Sequence, residues 1–540
     1  MGAVCVAAAL AVAACSSDDR GSGTTSASTT GAASSTSAGT ASPSTSGGGS
    51  SSPSNPSSSA ASAATEGGTL RVRVAANPSS LDPQAGPSGG DHQMLYPLYD
   101  TLITFDPATL QPEPNLAKSW KFTDPTTLEL TLQSGVTFQD GSAMDAAAVK
   151  ASLDRYKTQT NKADLANVTS IDAPTADTVV LHLGTPDSSM VLVLADRAGM
   201  IVGPTATTDS AGFADHPVGA GPYKFASFAP GNKLVLERYD GYWNKRALHL
   251  DGIEFVVISD PKAAANALQS GQVDFSDSLD TADLDALRGN SKLHTQADIG
   301  EWFNMIYFNL AQKPLDDPKV RTAINMAIDR DALIAGVADG EGEPAWLPVP
   351  KAHWSYDPTS IDAWPHDLDA AKQLLADAGY PDGTKFTMVT TPDAPSTREA
   401  DIIKDQLSKI GIDVEVTTMD SNQAISQYFE AQAFNSSLLA WSGRPDPGQT
   451  YQRLFAKDTY QNPGKVAIPG LDDAMAKAVT TDDIDERKAD YAEVNKILDA
   501  AAPYAPLFYR PDVTAFSTKV QGYQASLLGK PKVQYLWLSD

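Results

Sequence analysis

KFTMVTTPDAPSTREADIIKDQLSKIGIDVEV (Lys385–Val416) carries two periodicities side by side. Lys385 to Thr390 is a short β-prone run, and Ile412, Val414 and Val416 alternate with polar residues at the period of two that a strand shows. Between them Ile403, Leu407 and Ile410 fall at i, i+4 and i+7 on one helical face, and Gly411 ends the helix. Ser396 and Glu399 have the spacing of a capping box, in which both satisfy free amides at the helix start. The stretch therefore reads as a β-α-β unit with parallel strands and a right-handed crossover. A helix-like stretch from Asn422 leads to a further strand at about Ser436–Trp441, which makes two linked units and an open α/β sheet. Ligands of such sheets sit beyond the carboxyl ends of the strands, which points to the loop Ser442-Gly443-Arg444-Pro445-Asp446-Pro447.

Moving outward, Asp316-Asp317-Pro318 offers an acidic cap and a proline at the first helical position, with Val320, Ala323, Ile324 and Ala327 as the buried face. Ala370 to Ala378 repeats the theme, with Leu374 and Leu375 inward and Gly379 as the stop. Both helices read as scaffold. Nearer the N-terminus Leu70–Val74 alternates and opens a strand that ends before Asn77-Pro78. Leu128, Leu130 and Leu132 alternate again, and Val136 and Phe138 follow the Ser134-Gly135 turn, so this segment is mostly β.

The chain has 540 residues, enough for about two to four domains. Its 40 basic and 66 acidic residues leave a formal charge of −26, which repels phosphate backbones and excludes nucleic acid as a partner. Cys5 and Cys15 are the only cysteines, so the folded body has no disulfide, thiolate nucleophile or cysteine metal site. Ala3–Ala14 is small and apolar, shorter than the roughly 20 residues that span a bilayer, and has the length of a secretory signal's apolar region. Val12-Ala13-Ala14-Cys15 looks like the lipobox of bacterial lipoproteins, which implies cleavage before Cys15 and lipid on its thiol; no Lys or Arg precedes the apolar run. From Ser16 to about Thr65 there is no aromatic or large aliphatic residue, and the stretch reads as a disordered stalk. The body contains no H-E-x-x-H, no phosphate-loop motif and no G-x-S-x-G, and its seven histidines show no ligand spacing. The residues argue for binding rather than catalysis, with no cofactor and no metal.

LAKSWKF (Leu116–Phe122), SGVTFQDG (Ser134–Gly141), PVGAGPYKF (Pro217–Phe225), Tyr242-Trp243, LQSGQVDF (Leu268–Phe275), NLAQKPLDDPKVRTAINMAIDR (Asn309–Arg330) and AAKQLLADAGY (Ala370–Tyr380) follow one another in order. In these the chain resembles the extracellular solute-binding proteins of ABC transporters, family 5, whose members bind peptides, nickel complexes and some oligosaccharides. The resemblance runs from about Leu70 to Leu538. It implies an α/β, two-lobed clamp of the type II periplasmic-binding-protein kind, with an additional mainly β domain inserted in the first lobe. Residues 1–15 would be the lipoprotein signal and 16–68 the linker. Lobe I would comprise 69–110, 215–308 and 512–540, the inserted domain 111–214, and lobe II 309–511. It implies a monomer tethered at the outer face of the cytoplasmic membrane through lipid on Cys15. Such a protein closes on its ligand by a hinge motion and then docks on the transmembrane subunits of a permease. Oligopeptides or dipeptides are the leading ligand class; the alternative is the same clamp serving an oligosaccharide, an anionic compound, a metal chelate or a sensing role.

One position departs from the resemblance. Peptide-binding relatives place an Asp for the peptide's amino group in the loop after the strand that ends in tryptophan, and here Arg444 stands there. A guanidinium favours a carboxylate, phosphate or polyhydroxyl group; the alternative is a structural ion pair with a cleft carboxylate. Asp446, two residues on, either takes over the amine or caps the following turn. Trp441 would be an aromatic wall or core. Trp302 and Asn304 precede a crossing between lobes expected near Asn309, and strand alternation buries one set of residues there. Trp346 and Trp354 would lip the cleft or pack at its rim.

Overall fold

The computed structural model describes residues 66–86, 88–209, 212–360 and 363–539; Cys15, the apolar leader and the stalk up to residue 65 lie outside the described residues. Strand β1 (Thr69–Val74) buries Leu70, Val72 and Val74, as its alternation requires. A separate antiparallel sheet follows, made of β2 (Ala117–Asp124), β3 (Thr127–Leu132), β4 (Val168–Thr175) and β5 (Thr178–Leu183) in the order β2-β3-β5-β4. Helix α1 (Ala146–Tyr156), capped by Asp145, packs on it. Leu128, Leu130, Val149, Leu153, Val179 and Leu181 are fully enclosed in this mainly β body.

The chain then returns to the sheet of β1 through β6 (Tyr223–Ala229), β7 (Lys233–Arg238), β8 (Gly252–Val257), helix α2 (Pro261–Gln269) and β9 (Phe275–Leu279). Next comes the 16-residue strand β10 (Leu293–Phe308). Helices α3 (Pro318–Ala327), α4 (Arg330–Val337) and α5 (Leu368–Asp377) precede β11 (Thr384–Thr390), α6 (Ala394–Ser408), β12 (Ile412–Thr418) and β13 (Ser436–Trp441). Then α7 (Pro447–Phe455), α8 (Leu471–Lys477) and α9 (Ile484–Ala501) lead into the second long strand, β14 (Tyr504–Ser517). All these strands except β2–β5 form one sheet in the order β12-β11-β13-β10-β14-β9-β1-β8-β7-β6. The architecture is the expected mixed α/β one.

The β-α-β unit is present. Strands β11 and β12 are parallel from Thr384↔Ile412 to Thr390↔Thr418, and β13 joins β11 in the same direction. Asp317 caps α3 with Pro318 at its start, and Val320, Ala323, Ile324 and Ala327 are enclosed. In α5, Leu375 is buried while Leu374 is only partly so, and the helix starts at Leu368 on the Asp367 cap.

The capping box is a correction. Helix α6 starts at Ala394, and its cap is Asp393, whose carboxylate accepts from the Ser396 amide at 3.0 Å. Pro395 suits this earlier start because a proline in the first turn has no amide to leave unsatisfied. Glu399 is thereby moved a turn inside the helix, where it is buried and accepts from Asn304 at 2.6 Å.

The two long strands join the halves of the sheet. From Leu293↔Ser517 to Ile299↔Pro511, β10 pairs with the part of β14 that also pairs with β9. After a register shift it pairs from Phe303↔Tyr509 to Tyr307↔Tyr504, and now carries β13 on its other side from Phe303↔Trp441 to Phe308↔Ser436. The change of partners therefore falls at Gly300-Glu301-Trp302, ahead of the crossing expected near Asn309. A loop causes it: the Glu301 amide donates to the Leu527 carbonyl at 2.6 Å, and a Cβ at Gly300 would stand 3.0 Å from that same oxygen. Beyond the break Phe303 and Met305 enter one core with Tyr451 and Tyr491, while Ile306 and Phe308 enter the other with Phe386 and Ile403.

Candidate functional site

A cavity of about 850 Å³ opens where the two halves of the sheet meet. Its wall takes Arg73 and Val74 from the end of β1, the segment 88–94, Asn161 and Asp164 from a short turn of the mainly β body, and Asp196 with Arg197. The end of β9, the Gly300–Trp302 break, the residues 510–512 of β14 and the stretch 528–530 close it. Ser442 and Arg444 enter from the loop beyond the carboxyl end of β13, and Arg453 from α7. The loop to which the rule for open α/β sheets points thus reaches this cavity.

Two of the candidate side chains, Arg444 and Trp302, are in this wall. Trp302 is 50% exposed, a large apolar surface held open at the strand break. The Arg444 guanidinium lies 5.0 Å above the Trp441 ring and donates to the Gly443 carbonyl at 2.5 Å and to Ser442 Oγ at 3.3 Å.

The other five do not line the cavity. Trp441 is 6% exposed, sits in the core with Tyr451 and Phe455, and turns its Nε1–H to Thr450 Oγ1 at 3.4 Å. It is the floor under Arg444 rather than an aromatic wall. Asp446 is 0% exposed: it caps α7 through the Gly448 amide at 2.8 Å and binds Arg487 at 2.7 and 2.9 Å. Of its two readings the cap holds, and a carboxylate spent twice in this way is not directed at the cavity. Asn304 is 8% exposed and its amide is committed to Glu399, because one step past the break the strand face is covered by α6. Trp346 packs 4.2 Å under Arg330, and Trp354 packs against Arg487 and Tyr491. Both belong to the packing reading given for them above.

The model of the bacterial extracellular solute-binding proteins, family 5 Middle, matches residues 111–463. The chain belongs to this family. The glutathione-binding protein GsiB of Pectobacterium atrosepticum is 30% identical over 475 residues, covering 84% of this chain and 90% of its own. Among solved structures, DppA of Helicobacter pylori in complex with the peptide STSA is 26% identical, with a TM-score of 0.76 over 88% of this chain and 99% of its own. AgaA of A. tumefaciens R10, in complex with agropinic acid, is 25% identical, with a TM-score of 0.75 and the same coverage. As a family 5 member the protein is a two-lobed, extracellular solute-binding component of an ABC transporter, and not an enzyme.

Most charges in this solute-binding protein's cavity are already paired. Arg453 holds Asp164 at 2.6 Å, and Arg197 stands 3.9 Å from Asp91 while donating to the Ser88 carbonyl at 2.5 Å. Asp196 takes His92 Nε2 at 2.5 Å, with Lys530 at 3.8 Å. Burial alone would raise the Asp196 carboxyl, but Lys530 and His92 outweigh it and hold the group well below the usual carboxylate range. Burial lowers both Lys530 and Arg444, and each of these two cations is partly offset by the field of Asp196. On β9 and β14, Asp277 and Asp512 are pushed up to about 6 and about 7, mainly by burial, Asp512 also by its neighbour Asp277.

Asp196, Arg197, Asp277, Arg453, Asp512 and Lys530 were not singled out from the sequence. They come from five separate stretches, and nothing local marks an Asp or Lys that will face a cavity. Among the described residues no group of three or more His, Cys, Asp or Glu could hold a metal ion, and no helix is long and apolar enough to cross a membrane.

Proposed function

We propose that the protein is a lipid-anchored receptor of an ABC importer, which captures short peptides between its lobes and delivers them to a membrane permease. The observation that carries this reading is the cavity itself. At about 850 Å³ it lies within the range of pockets that enclose small ligands, of roughly 300–1,000 Å³, and it presents both cationic and anionic side chains beside one exposed indole. A peptide has the matching parts: opposite charges at its ends and apolar or polar side chains between. GsiB, named for glutathione, and DppA, solved with a tetrapeptide, support the class. A hinge at the Gly300–Trp302 break in the paired strands would move the expected boundary between lobe I (69–110, 215–308, 512–540, with 111–214 inserted) and lobe II (309–511) back toward that break. Cys15, behind its lipobox and stalk, is the anchor.

The test is native mass spectrometry of the protein as purified, followed by denaturation and weighing of what is released. A ladder of masses that reads as short peptides is the expected result. A single non-peptide mass would overturn the peptide class and favour the reading in which the cavity takes another anionic solute, as AgaA does with agropinic acid.

A further inference from the structure

The cavity wall carries more cation than the protein as a whole would lead one to expect. Against 40 basic and 66 acidic residues in the chain, its lining holds six Arg or Lys and five Asp. Arg453 and Arg197 have carboxylate partners, as described. Arg444 has none within 4.0 Å among the described residues; its guanidinium donates to its own loop. The Lys530 ammonium makes no hydrogen bond within the described protein, and its one carboxylate within 4.0 Å, Asp196, is already engaged by His92. Arg444 and Lys530 also lie close enough to repel, since the Arg444 charge lowers Lys530. Arg444 and Lys530, both half-buried, share the committed Asp196 and lie near Glu301, whose carboxyl burial holds well above the usual Glu range, so the site is short of an ionised partner.

The loop keeps the Arg444 charge where it is. Gly443 has φ of +62°, and a Cβ there would stand 2.3 Å from the Cβ of Glu301, so the backbone is pressed onto the strand break. Asp446, the nearest acid in sequence, is turned away by Arg487 and by its capping bond and is not available to neutralise Arg444. The Trp441 ring supports the guanidinium from below. At another part of the wall, Asp277 and Asp512 sit on the adjacent strands β9 and β14 with no cation within 4.0 Å among the described residues.

We propose that the solute carries a carboxylate seated between Arg444 and Lys530, so that a peptide enters with its carboxyl terminus at the Arg444 loop and its ammonium group at Asp277 and Asp512. This rests on the peptide reading given above and fixes the polarity within it. Arg444 offers a planar fork matched to a carboxylate, and Lys530 a point charge that needs no particular angle.

The experiment uses the whole protein, stripped of co-purified solute by unfolding and refolding, and three forms of one synthetic library of di- to tetrapeptides: free acids, carboxyl amides and N-acetyl peptides. Native mass spectrometry reads the bound fraction for wild type, Arg444→Gln and Lys530→Gln, with circular dichroism to show that each variant is folded. Amidation is expected to weaken binding to wild type by about tenfold or more, the size of a lost charge-assisted pair. Arg444→Gln should weaken the free acids similarly and leave the amides unchanged. Acetylation should cost the same in wild type and in Arg444→Gln. Equal binding of acids and amides would overturn the polarity while leaving the peptide reading intact. Failure of all three forms to bind folded wild type would instead overturn the peptide reading.

Discussion

Glu399 is enclosed between α6 and β10 with one hydrogen-bond partner among the described residues, the Asn304 amide, and its other oxygen unpaired. Burial, the main cause, pushes its carboxyl up to about 8, and the Asn304 bond offsets only part of this. The native state therefore holds this proton more tightly than the unfolded chain, whose ordinary Glu value is 4.5. A raised acid contributes fully below the unfolded value, and its contribution is lost as pH rises toward the folded one. Thermal stability is expected to fall between about pH 5 and pH 8, and Glu399→Gln to flatten that slope. A variant whose melting profile keeps the full wild-type slope would count against it. Buried Asp100 and half-buried Asp499, each raised to about 6, act in the same direction, so the slope shrinks without vanishing. Residue-scale roles were the least legible in the sequence. Ser396-x-x-Glu399 satisfies the capping-box pattern, yet an Asp three residues earlier caps better with a proline behind it. Arg444 could be found because it stands in a loop with a known geometric role. Lys530 could not, because its place in the wall depends on the return of the C-terminal stretch.

At the scale of elements, the loop from β13 into α7 is fixed by one buried pair. Asp446 and Arg487 are both enclosed, and Arg487 further donates to the Ala478 carbonyl at 3.1 Å and faces Trp354. Asp446→Asn keeps an oxygen for the Gly448 cap and removes the charge, which leaves a buried guanidinium without its partner. A loss of about 3–5 kcal/mol in urea unfolding is expected for this change. Adding Arg487→Met should recover part of it, since the orphaned charge goes too; a double variant no more stable than the single one would refute this account. Elements themselves were well read where periodicity alone decides them, as in β11-α6-β12 and α3. What escaped was the break in β10. Phe303 to Phe308 is an apolar strand run broken only by Asn304, and the change of partners comes from a loop more than two hundred residues away, whose carbonyl reaches over Gly300.

For the whole molecule, the contacts that span the cavity matter most. Arg453 of α7 meets Asp164 of the mainly β body at 2.6 Å, and the Ser188 amide donates to the Val479 carbonyl at 2.8 Å. Both join parts whose cores are otherwise separate. The ion pair is partly exposed, so its worth is modest, roughly 0.2–1 kcal/mol, and salt weakens it. Asp164→Asn is therefore expected to speed ligand release by up to about fivefold and to reduce the salt dependence of that rate. Stopped-flow release of a bound peptide at low and high salt measures both; an unchanged rate and salt slope would show that the pair contributes nothing to closure.

The threading of β14 has a consequence for how the chain acquires its structure. This strand, near the C-terminus, lies between β9 and β10 and pairs with both. Until Ser517 has been synthesised, the strands already made form two incomplete sheets with open edges, one ending at β9 and the other at β10. Contacts this far apart in sequence form slowly, since the loop they close is long. Translation from the N-terminus thus yields a chain that cannot finish its main sheet until it is nearly complete. For a protein whose family works outside the cytoplasm, a fold whose central strand comes last keeps the main sheet open for as long as the chain is still emerging.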